Sequence, residues 1–264
     1  MIVEIKEKDK KILTDYIGKD YGKCLYVYID LCKYNLDNNE NFFAWAQYNN
    51  NNEIIAVITE YYKGIQLYSK NVDFNQDEIA EFIHAKNPSI VLGIKETIDK
   101  MKPYMPGYTE ELGTVGQIRE LKYPANKDAY SAPVEELEDI VKVVAADEAI
   151  GQPYGFDSLY TQYKERKEEN FGRNFVLRDR ENDNRIIGHA GTYAELSELA
   201  VVGGVITAPE YRGKGFSKET LAALCEELLS EGKDVFSFYY IPAATKMHTG
   251  VGFEKIGDWA KLIK

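Results

Sequence analysis

Apolar residues along the first half of the chain change period several times. Residues 7–34 read as helical. Three strand-like runs follow, 42–48, 54–61 and 65–68. The polar stretch 49–52 and Lys63-Gly64 break them, as turn-forming residues do. Ile79, Ala80, Phe82 and Ile83 then return to a helical spacing, which predicts a helix over 77–85. A short apolar strand is expected at 89–92. A helix is expected at 94–101, ending before Pro103 because the residue preceding a proline disfavours the helical region. Residues 115–121 form a further expected strand.

The stretch from Tyr123 to Pro133 has two prolines among small and polar residues and reads as a connector. Beyond it, Val134, Leu137, Ile140, Val141 and Val144 repeat at i, i+3 and i+4 and predict a helix over 134–149. A second helix is expected at 156–169. Strands are expected at 174–178 and 185–193, joined by a polar turn at 179–184, and a third at 198–207. Both halves thus run from helices to a meander of strands to strand–helix pairs. The expectation is a structural duplication in a mixed α/β (α+β) fold, with domains at 1–125 and 130–264. One large mixed sheet is the alternative.

Hydrophobic residues make up 44% of 264, enough for proper cores. A formal net charge of −11 repels a phosphate backbone and argues against nucleic acid as a partner. It favours solubility and, electrostatically, a cationic substrate. Cys24, Cys32 and Cys225 are scattered and make no metal spacing or disulfide framework. The three histidines, His84, His189 and His248, form no metal motif, so no metal is expected. No run approaches the ~18 apolar residues of a membrane span. The first residues lack the apolar core of a secretory signal, so a cytoplasmic protein with no membrane partner is expected.

The strongest local signal starts at 201–207, Val-Val-Gly-Gly-Val-Ile-Thr. Ala-Pro-Glu-Tyr follows, and then Arg212, Gly213, Lys214, Gly215, Phe216 and Ser217. The next segment is helical, with an apolar stripe at Leu221, Leu224, Cys225, Leu228 and Leu229 and a stop at Gly232. Glycines between a strand and a helix N-terminus make an anion site. The first N–H groups lack internal partners, the helix dipole is positive there, and glycine lets the backbone approach closely. Arg212 and Lys214 add charge. The P-loop pattern fails because its first-glycine position is Ala208 and Gly215 follows Lys214. The dinucleotide pattern fails at Lys218.

What remains, Arg212-x-x-Gly215-x-Ser217, resembles the [QR]-x-x-G-x-[GA] signature of the GNAT superfamily of acyl-CoA N-acyltransferases, with Ser217 departing at the last position. A second segment, Ile241 to Phe253, is similar to the family's N-x-x-A-x-x-x-Y-x-x-x-G-F. Ala244, Gly252 and Phe253 match. Ile241 replaces the Asn and His248 the Tyr that often serves as general acid. The resemblance covers about 132–264. It implies a GNAT fold in the C-terminal half and, from element order, a degenerate GNAT-like copy in the N-terminal half.

The resemblance further implies acetyl-CoA as co-substrate. Its pyrophosphate would lie on the amides of Arg212, Gly213, Lys214, Gly215, Phe216 and Ser217, and its pantetheine arm along Val205, Ile206 and Thr207. The expected reaction is N-acetylation of a small-molecule amine. The alternatives are a non-catalytic coenzyme A-binding or structural protein and a protein N-acetyltransferase. Transfer to an amine needs a base, oxyanion donors and an acid for the thiolate. Glu198, opening the central strand, is the candidate base. His248 is the candidate acid, with Tyr240 or Tyr239 at the strand end as the alternative. His189, flanked by Gly188 and Gly191, is expected to be structural or to line the acceptor site. Oligomeric state is not legible.

Overall fold

The structure is a computed structural model and describes residues 1–148, 151 and 154–264. The chain clusters into two units, one of Met1–Val115 with Ile256–Lys264 and one of Gly116–Lys255. The last nine residues, which the sequence groups with the second half, therefore pack with the first unit.

The first unit opens with β1 (Ile2–Ile5), then α1 (Lys11–Ile17) and α2 (Leu25–Lys33). The stretch read as helical over 7–34 is thus divided. Gly18 takes φ +58 and a 3-10 stretch, Gly18–Lys23, intervenes. The meander of β2 (Phe42–Tyr48), β3 (Ile54–Tyr61) and β4 (Gly64–Tyr68) leads to α3 (Gln76–Lys86), β5 (Ile90–Ile94), α4 (Lys95–Met101) and β6 (Thr109–Ile118). The sheet order is β1-β2-β3-β4-β5-β12, where β12 is the chain's last strand, Glu254–Ile263.

Alternation along the strands supplies two cores, since successive side chains point to opposite faces. Val57 and Tyr68 join Leu13, Ile17, Val27 and Leu31 on one face. Ile58, Ile65 and Leu67 join Ile79, Ile83 and Ile98 on the other. The N-terminus of α3 is closed by its own residues. Asn75 accepts the Glu78 N–H, and Asp77 and Glu78 occupy the first turn.

In the second unit, β7 (Tyr130–Ser131) lies inside the expected connector. The helix expected over 134–149 is a 3-10 turn, Val134–Glu136, followed by α5 (Leu137–Ala145); Ala149 falls outside the described residues. Next come α6 (Phe156–Glu168), β8 (Asn174–Asp179), β9 (Arg185–Glu195) and β10 (Leu199–Thr207). The unit continues with α7 (Phe216–Ser230), β11 (Asp234–Tyr239) and α8 (Pro242–Val251). The sheet order is β11-β10-β9-β8-β7, with β10 and β11 parallel and the other pairs antiparallel.

Both faces of this sheet are covered, which is why β10 is apolar without interruption. Ala200, Val202 and Val235 pack under Leu221, Leu224 and Leu228 of α7 and Val251 of α8. On the other face Val176, Ile186 and Ile206 pack under Ile140, Val141 and Val144 of α5 and Leu159 and Tyr163 of α6. Each such side chain, once fully buried, contributes about 1.5–3 kcal/mol.

Candidate active site

Strands β10 and β11 pair only over Leu199–Val202 and Asp234–Ser237. Beyond that, β10 pairs β9 alone, so the two parallel strands splay at their carboxyl ends. In open sheets with helical crossovers ligands bind outside those ends, at the helix that follows the strand. Here that helix is α7. A 3-10 turn, Pro209–Tyr211, leads into the loop 212–217, where Gly213 has φ +81 and Gly215, the N-cap of α7, has φ +96. Both values lie in the left-handed region that suits glycine. No side chain caps α7. The five N–H groups of residues 213–217 find no backbone acceptor among the described residues. Unpaired amides beside a helix N-terminus form a nest for an anion.

Cations surround this nest. Arg212 reaches the Asp147 carboxylate at 3.3 Å and the Thr207 carbonyl at 3.4 Å. The Lys214 ammonium lies 5.1 Å from the Tyr211 ring, and that of Lys218 5.6 Å from the Tyr123 ring. The Tyr123 hydroxyl closes on Gly215, where a Cβ would meet it at 3.3 Å. A cleft of about 450 Å³ opens beside the loop between Lys214, Phe216 and β8. Of its charged groups, Arg178, Asp179 and Arg180 are paired with Glu136, Tyr211 and Asp128 respectively, and Lys214 is shared with the loop.

A second feature lies at the start of the splay. The β9–β10 register shifts between Gly203 and Ile206, and Gly204 takes φ +61, which marks a bulge. His189 fixes it. One imidazole nitrogen, Nδ1, lies 2.7 Å from the Gly204 carbonyl, and Nε2 lies 3.0 Å from the Asn174 side chain. A carbonyl only accepts, so Nδ1 carries the proton. Burial pushes the His189 pKa down to about 4, so the ring is neutral near pH 7 and Nε2 accepts. The Asn174 amide must then present its NH2 group to Nε2. The Tyr193 ring packs against Gly203, where a Cβ would come within 2.2 Å of it. Tyr163 completes this aromatic wall, 6.0 Å from His189 between ring centres.

The expected catalytic residues are not brought together. Glu198 precedes β10 at its amino end, where its carbonyl accepts from Asp234 N–H and its carboxylate from Ser197. It stands one strand length, about 30 Å for nine residues, from the loop. His248 is buried. Its Nδ1 donates to the Ala244 carbonyl at 2.9 Å, leaving Nε2 to accept from the Ser237 hydroxyl at 2.9 Å. The ring stacks on Tyr239 at 4.8 Å and meets Phe253 edge-on at 5.2 Å. Burial lowers its pKa, so it is a neutral packing element tying α8 to β11 and carries no proton to spare.

Tyr239 is equally enclosed, whereas Tyr240, just past β11, is 52% exposed at the end where the strands splay. Of the expected coenzyme-binding strand residues, Ile206 is buried in the α5–α6 core, and Val205 and Thr207 are half-buried. Sequence reasoning missed Tyr163, Tyr193 and Arg166 of the wall. The available signal was the glycine pair 203–204 inside a strand, a mark of a bulge or a close approach. Among the described residues no cluster of His, Cys, Asp or Glu is placed to hold a metal, and no helix is long and apolar enough to cross a membrane.

Known proteins share this fold. The model of the acetyltransferase (GNAT) family matches residues 138–253. A GNAT-family acetyltransferase from Colwellia psychrerythraea superposes with a TM-score of 0.64 at 15% identity, covering 100% of both chains. A tandem GNAT protein from the clavulanic acid biosynthesis pathway gives 0.63 at 10% identity, covering 100% of this chain and 98% of its own. A Drosophila protein gives 0.66 at 10%, with 99% and 98% covered. No curated protein matches this chain. The splayed strands, the glycine loop and the family match together identify a GNAT-family acetyltransferase domain over residues 138–253, in a chain with the two-domain fold of tandem GNAT proteins.

Proposed function

We propose that the second unit transfers an acetyl group from acetyl-CoA to the amine of a small molecule. The observation that carries this reading is the run of five amides at 213–217 that have no backbone acceptor among the described residues, set at the N-terminus of α7 beside the splayed ends of β10 and β11. The pyrophosphate would lie on those amides with Arg212 and Lys214 near it. The pantetheine arm would follow β10 past Val205 toward the bulge. The thioester would then lie at the bulge, whose backbone His189 holds through the Gly204 carbonyl, and a backbone N–H there would polarise the thioester carbonyl.

The amine nitrogen attacks that carbonyl carbon, the carbon–sulfur bond breaks, and the thiolate takes up a proton. Tyr240, exposed at the splayed end, is the proposed donor. With Glu198 at the far end of β10 and both imidazoles neutral and occupied, the amine's proton leaves through water. Holding two substrates in line supplies most of the acceleration.

Calorimetric titration with acetyl-CoA tests the reading, with Ser217→Glu as the control. A carboxylate in the first turn of α7 favours the helix, so the fold is kept, yet it opposes the pyrophosphate. The expected result is native binding weakened about tenfold or more in the variant. No native binding, or equal binding by both proteins, defeats the proposal. A coenzyme A-binding protein without transferase activity is the second reading, favoured by Glu198 lying at the far end of β10 and by the burial of His248. Thiol release from acetyl-CoA in the presence of amines separates the two.

A further inference from the structure

Seven arginines occur in the chain. Five have a carboxylate within 4 Å: Arg173 with Glu195, Arg178 with Glu136, Arg180 with Asp128, Arg185 with Glu210 and Arg212 with Asp147. Of the other two, Arg119 is exposed. Arg166, on α6, is half-buried and has no carboxylate partner among the described residues, in a protein with 43 acidic side chains. A guanidinium has five N–H donors, and burying it without a counter-charge is costly. One hydrogen bond is made, from Nη2 to the Gln162 side chain at 3.1 Å. Gln162 in turn donates to Ser158 at 3.2 Å, so a row of i, i+4 contacts aims the guanidinium along one face of α6.

That face is the one beside the bulge. The Arg166 guanidinium lies 5.3 Å from the Tyr193 ring centre and 5.7 Å from that of Tyr163. Tyr193 itself rests on Gly203. The cation therefore stands one ring away from the backbone that would polarise the thioester. It is on the α5–α6 side of the sheet, opposite the side packed by α7 and α8. The two rings hold it by cation–π attraction. They leave donor edges of the fork uncommitted.

The geometry points to an acceptor that carries a carboxylate close to its amine, an amino acid, with Arg166 binding the carboxylate. This rests on the transferase reading above and gives its substrate class. The planar fork matches a carboxylate with two parallel hydrogen bonds. The overall charge of −11 disfavours an anionic acceptor everywhere except where a local cation is provided. The carboxylate is unchanged in the reaction. The amine nitrogen forms the new bond to the acetyl carbon, the carbon–sulfur bond breaks, and the proton lost by the amine balances the one taken up by the thiolate. Arg166 touches the substrate at a distance from the reacting atoms and sets specificity.

The test compares each common amino acid with its α-carboxamide as acceptor, by thiol release from acetyl-CoA, in the native protein and in Arg166→Met and Arg166→Lys. Because a site built to bond a polar group rejects the analogue lacking it, at least one acid is expected to exceed its amide by about 30-fold or more in kcat/KM. Arg166→Met should bring that ratio to about threefold or less, mainly through a fall in kcat/KM for the acid, and Arg166→Lys should restore part of it. Equal use of acids and amides overturns the inference, as does a preference that survives Arg166→Met. Acetyl-CoA binding with transfer only to amines lacking a carboxylate overturns it and leaves the transferase reading intact. Failure to bind acetyl-CoA removes the transferase reading instead. In that event, tyrosine fluorescence titration with amino acids and their amides still reads Arg166, and no difference between them overturns the inference.

Discussion

The Asp30 carboxyl on α2 accepts from the Gln66 side chain on β4 at 2.8 Å, with Tyr61 and Lys33 as its other titratable neighbours. Burial raises its pKa to about 7. The folded value exceeds the unfolded one, so the native state binds the extra proton. Stability is then lost as pH rises from about 4 to about 7. His189 acts in the opposite sense. Its folded value of about 4 is below the unfolded one, so stability is lost as pH falls from about 6.5 to about 4. The two slopes overlap, and a variant separates them. Asp30→Asn keeps an acceptor for Gln66 and removes the charge. Chemical denaturation across pH should show the variant equal to the native protein near pH 4 and more stable above pH 7, by on the order of 4 kcal/mol. A constant difference would mean that Asp30 is not held protonated.

His248 shows how a motif position misleads at the same scale. The matched segment places it where the family often has a protonating Tyr, and sequence alone has no way to see that both its nitrogens are engaged. Replacing His248 with Leu leaves the Ser237 hydroxyl unpaired in a buried site and should cost about 1–3 kcal/mol of stability. A general acid's removal lowers the rate by about 10²–10⁴-fold. The expected kcat change is less than tenfold, measured below the variant's unfolding temperature. A larger fall with native stability would return His248 to the chemistry.

Among elements, those legible in the sequence were the ones whose apolar period is long or whose ends are punctuated. The α7 stripe and its glycine stop, the three-strand meander 42–68 and the hairpin of β8 and β9 all lie where the pattern put them. The glycine loop was legible because its chemistry depends on backbone conformation, and glycine records that in the sequence. The aromatic wall was not, because Tyr163, Tyr193 and Arg166 meet the bulge only through tertiary packing. Helical periodicity over 7–34 hid the interruption at Gly18, whose left-handed φ ends α1. β12 gave little signal because several of its positions are only half-buried. Its apolar residues alternate incompletely, and its partner β5 lies more than 160 residues away in sequence.

For the molecule as a whole, that last pairing sets a dependence that chain order conceals. The strand β12 runs antiparallel to β5 with Trp259 opposite Ile94, Lys261 opposite Leu92 and Ile263 opposite Ile90. Ala260 and Leu262 enter the same core as Ile65, Val91 and Ile98 of the first unit. A chain ended at Lys255 keeps every residue of the second unit and takes a paired strand from the first. The apolar loss at Leu262 and Trp259 alone is about 1.5–3 kcal/mol each, a large share of a small domain's stability of about 5–15 kcal/mol. It also bares the β5 edge to unintended pairing. Truncation at Lys255 is therefore expected to destabilise the first unit selectively. Hydrogen exchange should show amides of β5 losing protection first, while those of β9 and β10 in the second unit keep it. Acetyl-CoA titration of the same truncated chain should still show binding at the 212–217 loop. Equal loss of protection in β5 and β10 would mean that the two units unfold as one, and that the C-terminal strand supports the whole chain and not the first unit alone.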